Sequence, residues 1–112
     1  MKRILIIDDE EDLCAIIKIF LVKRNYEVDI AHSLREGYRK MRLHQPDILL
    51  LDNNLPDGKG WLAATDIRKK YPNLAITLIS AYQDTGALSG SNVQGFNILE
   101  KPVSLRSIEQ YI

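Results

Sequence analysis

Ile48-Leu49-Leu50-Leu51 is an unbroken aliphatic run, entered through the turn-forming pair Pro46-Asp47 and closed by Asp52. A strand with one wet face alternates apolar and polar side chains, so such a run predicts a strand buried on both faces. A second run, Ile4-Leu5-Ile6-Ile7, has the same character and also ends in acids, Asp8-Asp9-Glu10-Glu11-Asp12. An ionised carboxylate at the lip of so apolar a strand is partly desolvated and requires a cation, a metal or donor groups beside it. The stretch after Asp52, Asn53-Asn54-Leu55-Pro56-Asp57-Gly58, is loop chemistry throughout.

Between and beyond these runs the periodicity changes. Leu13, Ile16, Ile17 and Phe20 fall at the spacing of one helix face, behind first-turn acids that suit the helix dipole, and Lys23-Arg24-Asn25 suits the C-terminus. Tyr26 to Ala31 alternates, which predicts an edge strand. Ser33-Leu34-Arg35-Glu36 is a capping-box pattern opening a second helix with Leu34, Tyr38 and Met41 on one side, and Pro46 closes it. Trp61 to Tyr71 reads as a third helix, basic at its end and stopped by Pro72. Leu74 to Ile79 is a further buried strand leading to Ser80. Asp84 to Gln94 falls where alternation calls for a helix, but Gly86 and Gly90 make it a poor one, each costing about 1 kcal/mol relative to alanine. Phe96 to Glu100 is a short last strand before Lys101-Pro102. Ser104 caps a final helix carrying Leu105, Ile108 and Ile112, still running where the sequence stops.

Five strand runs alternating with helices predict a parallel sheet covered on both faces, in one domain over residues 1–112. A TIM barrel needs about twice this length. What remains is an open, doubly wound sheet, where ligands bind beyond the carboxyl ends of the strands. Fifteen basic and fifteen acidic residues balance, so no overall field favours nucleic acid or an anionic membrane. The single cysteine, Cys14, excludes an internal disulfide and is assigned to core packing. With no signal-peptide core and only short apolar runs, the expectation is a soluble, cytoplasmic protein.

Four of the five strands end in groups that handle a phosphate or a metal: Asp8-Asp9, Asp52, Ser80 and Lys101. Each alone has a bland reading as a cap, a turn or a loop, but parallel strands bring all four to one rim. Three carboxylates crowded there repel one another, and a divalent cation removes the conflict. Mg²⁺ is the natural choice, preferring hard oxygen ligands and commonly shared between carboxylates and a phosphate. His32 and His44 are assigned to the surface, with no Cys/His cluster for zinc. No Gly-rich nucleotide loop follows the first strand.

These residues resemble the receiver domain of two-component response regulators over essentially the whole chain: Ile-Ile-Asp8-Asp9-Glu, Leu-Leu-Leu-Asp52-x-x-Leu-Pro56-Asp-Gly58, Ser80-Ala81-Tyr82 and Lys101-Pro102. The resemblance implies a flavodoxin-like sheet of order 2-1-3-4-5. It implies Mg²⁺-dependent phosphoryl transfer to Asp52 from a histidine kinase or histidine phosphotransfer protein. Asp9 would then bind the metal directly, Asp8 largely through water, and Asn54 through its carbonyl. Lys101 and Ser80 would contact the phosphoryl group. Such a domain catalyses only its own phosphorylation and dephosphorylation, and signals to an output domain or downstream protein without binding nucleic acid or membrane itself. Ser80, Tyr82, Ile98 and Lys101 occupy the switch positions. The family usually carries an aromatic residue where this chain has Ile98, which is stiff at χ1, so the readout is expected to shift to the segment after Ser80.

Other uses of such a rim fit less well. Aspartyl-phosphate phosphatases carry an Asp-x-Asp nucleophile after the first strand, whereas Asp52 follows the third and its second neighbour is Asn54. A flavin module needs a phosphate loop where this chain has acids. A pure interaction module has no use for the full set of Asp8, Asp9, Asp52, Ser80 and Lys101.

Overall fold

The computed structural model describes residues 1–81 and 96–112. Strands β1 (Arg3–Ile7), β2 (Glu27–Ala31), β3 (Ile48–Asp52), β6 (Ala75–Ser80) and β7 (Asn97–Glu100) form one sheet in the order β2-β1-β3-β6-β7, every pair parallel. With the short hairpin of β4 (Asn54–Leu55) and β5 (Gly58–Lys59) set aside, this is the expected 2-1-3-4-5 order. Helices α1 (Glu11–Val22), α2 (Leu34–His44), α3 (Gly60–Lys70) and α4 (Leu105–Glu109) cover the sheet.

The period of two along each central strand divides the core into two layers. Leu5, Ile7, Leu49, Leu51, Ile76 and Leu78 point towards Met41 of α2 and Ala64 and Ile67 of α3. Ile4, Ile6, Ile48, Leu50 and Ile79 point towards Cys14, Ile17 and Leu21 of α1 and Ile108 of α4. All of Ile48–Asp52 is buried, as an unbroken apolar run demands. Burying one such leucine is worth about 1.5–3 kcal/mol, so this strand anchors the fold. β2 lies at the sheet edge, with Glu27 exposed and its middle half-buried. The Ser33 and Ser104 hydroxyls accept from the amides of Glu36 and Ser107, both at 3.1 Å, and thereby cap α2 and α4.

Local readings are corrected at four places. The stripe of α1 that is fully buried against the sheet is Cys14, Ile17 and Leu21, with Leu13 and Phe20 partly buried beside it as expected, while Ile16 is 54% exposed. The helix is apolar at so many positions that two stripes satisfy its periodicity, and the Cys14 thiol, 3.4 Å from the Asp8 carbonyl, belongs to the one that packs. On α2, Leu34 and Met41 are buried with Gly37 between them, and Tyr38 sits at the rim. A Cβ at Gly37 would collide with the side chain of Ile7, so the glycine lets α2 approach β1. The Asn53–Gly58 stretch is not all loop, since it contains the β4-β5 hairpin. His32 is half-buried, its Nδ1 2.8 Å from the Asp8 carbonyl, because β2 ends beside β1; His44 is exposed as expected. The poor helix expected at Asp84 to Gln94, and Tyr82, lie outside the described residues.

Candidate functional site

Because the strands are parallel and in register, their C-terminal ends reach one rim. Ile7 pairs with Leu51, Asp52 with Ile79, and Ser80 with Glu100, which places Asp8, Asp52, Ser80 and Lys101 on neighbouring strand ends. Backbone bonds extend the sheet at that rim: Asp8 N–H donates to Ala31 O at 3.0 Å, Asn53 N–H to Ile79 O at 2.9 Å, and Lys101 N–H to Ser80 O at 2.8 Å. Gly60 opens α3 directly beneath Asp52, and a Cβ there would collide with the Asp52 carbonyl. Asn53, itself buried, closes the turn by accepting from Gly60 N–H on its carbonyl and from Trp61 N–H on Oδ1.

Asp8, Asp52 and Ser80 are buried, while Asp9 is exposed. Asp8 Oδ1 accepts from Glu10 N–H at 2.9 Å, but Asp8 Oδ2, both carboxylate oxygens of Asp52 and Ser80 Oγ are buried with no hydrogen bond among the described residues. The cation nearest these oxygens is Lys101, whose Nζ lies 3.4 Å from Asp52 Oδ1, 3.4 Å from Asp8 Oδ2 and 2.6 Å from Glu10 Oε1. Desolvation, then the neighbouring charge of Asp8, push the Asp52 carboxyl up to about 6, against the pull of Lys101. Desolvation also raises Asp8, opposed by its bond from Glu10 N–H and by Lys101. Burial alone would lower the Lys101 ammonium, but the bond to Glu10 and the charges of Asp8 and Asp52 outweigh it, so its pKa is raised and it stays charged. One ammonium therefore faces more negative charge than it neutralises.

Asp8, Asp9 and Asp52 each offer a carboxylate oxygen, and these oxygens lie within 4.8 Å of one another. Oxygen-only donors, two of them on buried and incompletely bonded carboxylates, fit a hard divalent ion of the Mg²⁺ type. Asn54, at the start of β4, follows the buried Asn53 at this rim, and its Oδ1 accepts from the Lys59 ammonium. Ile98 is half-buried in β7 against the α2/α3-side core.

Three contributors escaped the reading of the sequence. Glu10, taken as a helix-dipole acid, makes no side-chain cap and reaches Lys101 instead. Asn53 ties the end of β3 to the first turn of α3. Asp57 caps α2 from a distance, accepting from Leu34 N–H at 2.8 Å and Arg35 N–H at 2.9 Å. The one available signal was Asp-Gly after a strand, which marks a turn but names no partner.

The family model of the response regulator receiver domain matches residues 4–112. The chain is 30% identical over 114 residues to the response regulator protein PilR of Pseudomonas aeruginosa, covering 99% of this chain and 25% of that protein. It is 29% identical over 117 residues to the transcriptional regulatory protein KdpE of Staphylococcus aureus, covering 97% of this chain and 50% of that protein. It thus spans a quarter to a half of these relatives. Among solved structures it is similar to a CheY-like response regulator receiver domain protein of Methanospirillum hungatei, at a TM-score of 0.88, with 29% identity over 98% of this chain and 89% of that one. A receiver domain protein of Clostridium thermocellum matches at a TM-score of 0.86, with 27% identity over 99% of this chain and 90% of that one. Among the described residues, no helix is long and apolar enough to cross a membrane.

Proposed function

Because the chain belongs to the receiver domains of response regulators, the phosphoacceptor modules of two-component signalling, we propose that Asp52 is the residue phosphorylated. The observation that carries this reading is the state of its carboxylate, with both oxygens buried, neither hydrogen-bonded among the described residues, and Lys101 3.4 Å from one of them. A carboxylate so poorly solvated is a stronger nucleophile than one in water. With its pKa near 6 it is mostly ionised at neutral pH.

Asp8, Asp9 and Asp52, with the backbone carbonyl of Asn54, would hold Mg²⁺. That ion, when bound, supplies positive charge for the phosphoryl oxygens. In the transfer an Asp52 oxygen forms a bond to phosphorus while the bond from phosphorus to the donor's imidazole nitrogen breaks. The electron pair of that bond returns to the nitrogen. Lys101 then pairs with the new phosphoryl oxygens, and the Ser80 hydroxyl, buried and without a partner among the described residues, donates to another. Ser80 and Lys101 thereby couple the modification to the segment holding Tyr82 and to Ile98 on β7. Catalysis by the domain is confined to its own phosphorylation and dephosphorylation. The donor is a histidine kinase or phosphotransfer protein in the cytoplasm, and the recipient of the signal is an output domain or downstream protein.

The test is intact mass after incubation with Mg²⁺ and acetyl phosphate. One phosphoryl group is expected, absent without a divalent cation and absent in Asp52→Asn. Phosphorylation of the variant to the extent of the wild type ends the assignment.

A further inference from the structure

An acid beside the first residue of a helix is accounted for by the dipole alone, yet Glu10 does something else. Its carboxylate makes no cap bond and lies 2.6 Å from Lys101 Nζ, nearer than either buried aspartate at 3.4 Å. The three carboxylates around Lys101 differ in what they lose on letting go. Asp8 and Asp52 are fixed at strand ends and shut off from water, whereas the Glu10 side chain is 56% exposed and returns to solvent at small cost. Lys101 itself is only 18% exposed, so its ammonium depends on these partners more than on water.

We infer that Glu10 is a positioning residue acting through Lys101: it holds the ammonium in the unphosphorylated domain and competes for it with the phosphoryl group on Asp52. The inference rests on the Asp52 reading and deepens it. Glu10 lies on the entry to α1 and Lys101 follows β7, so the contact ties two sides of the rim that the backbone does not join. Forming the phosphorylated state means transferring Lys101 from an exposed carboxylate to a phosphoryl oxygen. The strength of the Glu10 contact therefore subtracts from the stability of that state. An ion pair whose carboxylate is this exposed is worth about a two- to five-fold factor in an equilibrium constant.

The experiment titrates beryllofluoride, a mimic of the phosphoryl group on Asp52, in the presence of Mg²⁺ against wild type, Glu10→Gln, Lys101→Met and the double variant. Glu10→Gln is expected to tighten binding about two- to five-fold and to do nothing further in the Lys101→Met background. The Lys101 Nζ resonance of unliganded protein should move in Glu10→Gln towards its beryllofluoride-bound position. Weaker binding by Glu10→Gln, or an equal gain with and without Lys101, overturns the inference, the latter because it reports only loss of negative charge at the rim. If Lys101→Met binds no beryllofluoride, the Nζ resonance decides alone, and an unchanged resonance in Glu10→Gln is refutation. Failure of the wild type to bind beryllofluoride overturns the Asp52 assignment and this inference with it.

Discussion

Replacing Asp52 by asparagine should stabilise the metal-free domain, although it removes the residue proposed to accept the phosphoryl group. The carboxyl is raised from 3.8 to about 6, chiefly by desolvation and then by Asp8. At about 1.36 kcal/mol for each pH unit, a rise of roughly two units corresponds to about 3 kcal/mol of strain in the ionised form. The folded state holds this proton more tightly than the unfolded one, so stability is lost as pH rises from 3.8 through 6 and the loss is complete above that. Asparagine occupies the same volume without charge. Lys101 keeps Asp8 and Glu10 as partners, so it is not stranded by the change. Urea unfolding in EDTA at pH 7.5 should show a gain of about 3 kcal/mol in Asp52→Asn, shrinking to about half at pH 5, with unchanged m-values. A gain equal at both pH values would trace to packing instead of ionisation. No gain at pH 7.5 would refute the claim that this carboxylate is held at a cost.

Other substitutions probe the supports of the rim. Gly60→Ala drives a methyl into the Asp52 carbonyl and should cost about 2 kcal/mol or more in urea unfolding, while reducing phosphorylation measured by intact mass. Asp57→Ala removes the remote cap of α2 and should cost about 1 kcal/mol at neutral pH. The Arg35 and Leu34 amides lower the Asp57 carboxyl below its ordinary 3.8, so its stabilisation is present above that value and fades as pH falls through the lowered one, and parallel urea curves in acid should converge. Ser80→Ala removes a buried hydroxyl that has no partner, so unliganded stability should stay within about 1 kcal/mol or rise. Its added amide-exchange protection with beryllofluoride should shrink, and a full wild-type response would remove Ser80 from the site.

What could be read from residues alone follows from how local each signal is. The all-aliphatic strands announce themselves because burial on both faces abolishes alternation, and helices between them force parallel pairing, which fixes which strand ends meet. Asp8, Asp9, Asp52, Ser80 and Lys101 were legible for that reason. On α1 only Ile16 was misplaced, because Ile16, Ile19 and Val22 continue the helix's apolar character onto the exposed side, and only the sheet decides which residues it covers. Glu10 was hidden by the adequacy of a local account, since an acid in a first helical turn raises no question. Asp57 and Asn53 were hidden because their partners are backbone amides on other elements, and no spacing rule encodes a cap supplied from 22 and 23 residues away.

On the proposed reading, the rim would couple a chemical event to a conformational one through an imbalance of charge. Three carboxylates, from Asp8, Glu10 and Asp52, share one ammonium, and two of them cannot turn to water. Whatever relieves that imbalance changes how Lys101 is apportioned, and its amide is bonded to the Ser80 carbonyl at 2.8 Å, so the two strand ends respond together. Among the described residues, Ser80 Oγ makes no bond that would have to break before it could meet a phosphoryl oxygen. Serine also lacks the β-branching that restricts χ1, so its hydroxyl can turn while the strand stays in place. On the proposed assignment of Asp52, the first movement on phosphorylation would be a side-chain rotation at Ser80 and a change of partner at Lys101, both small. What they recover is part of the energy that burying Asp52 had cost.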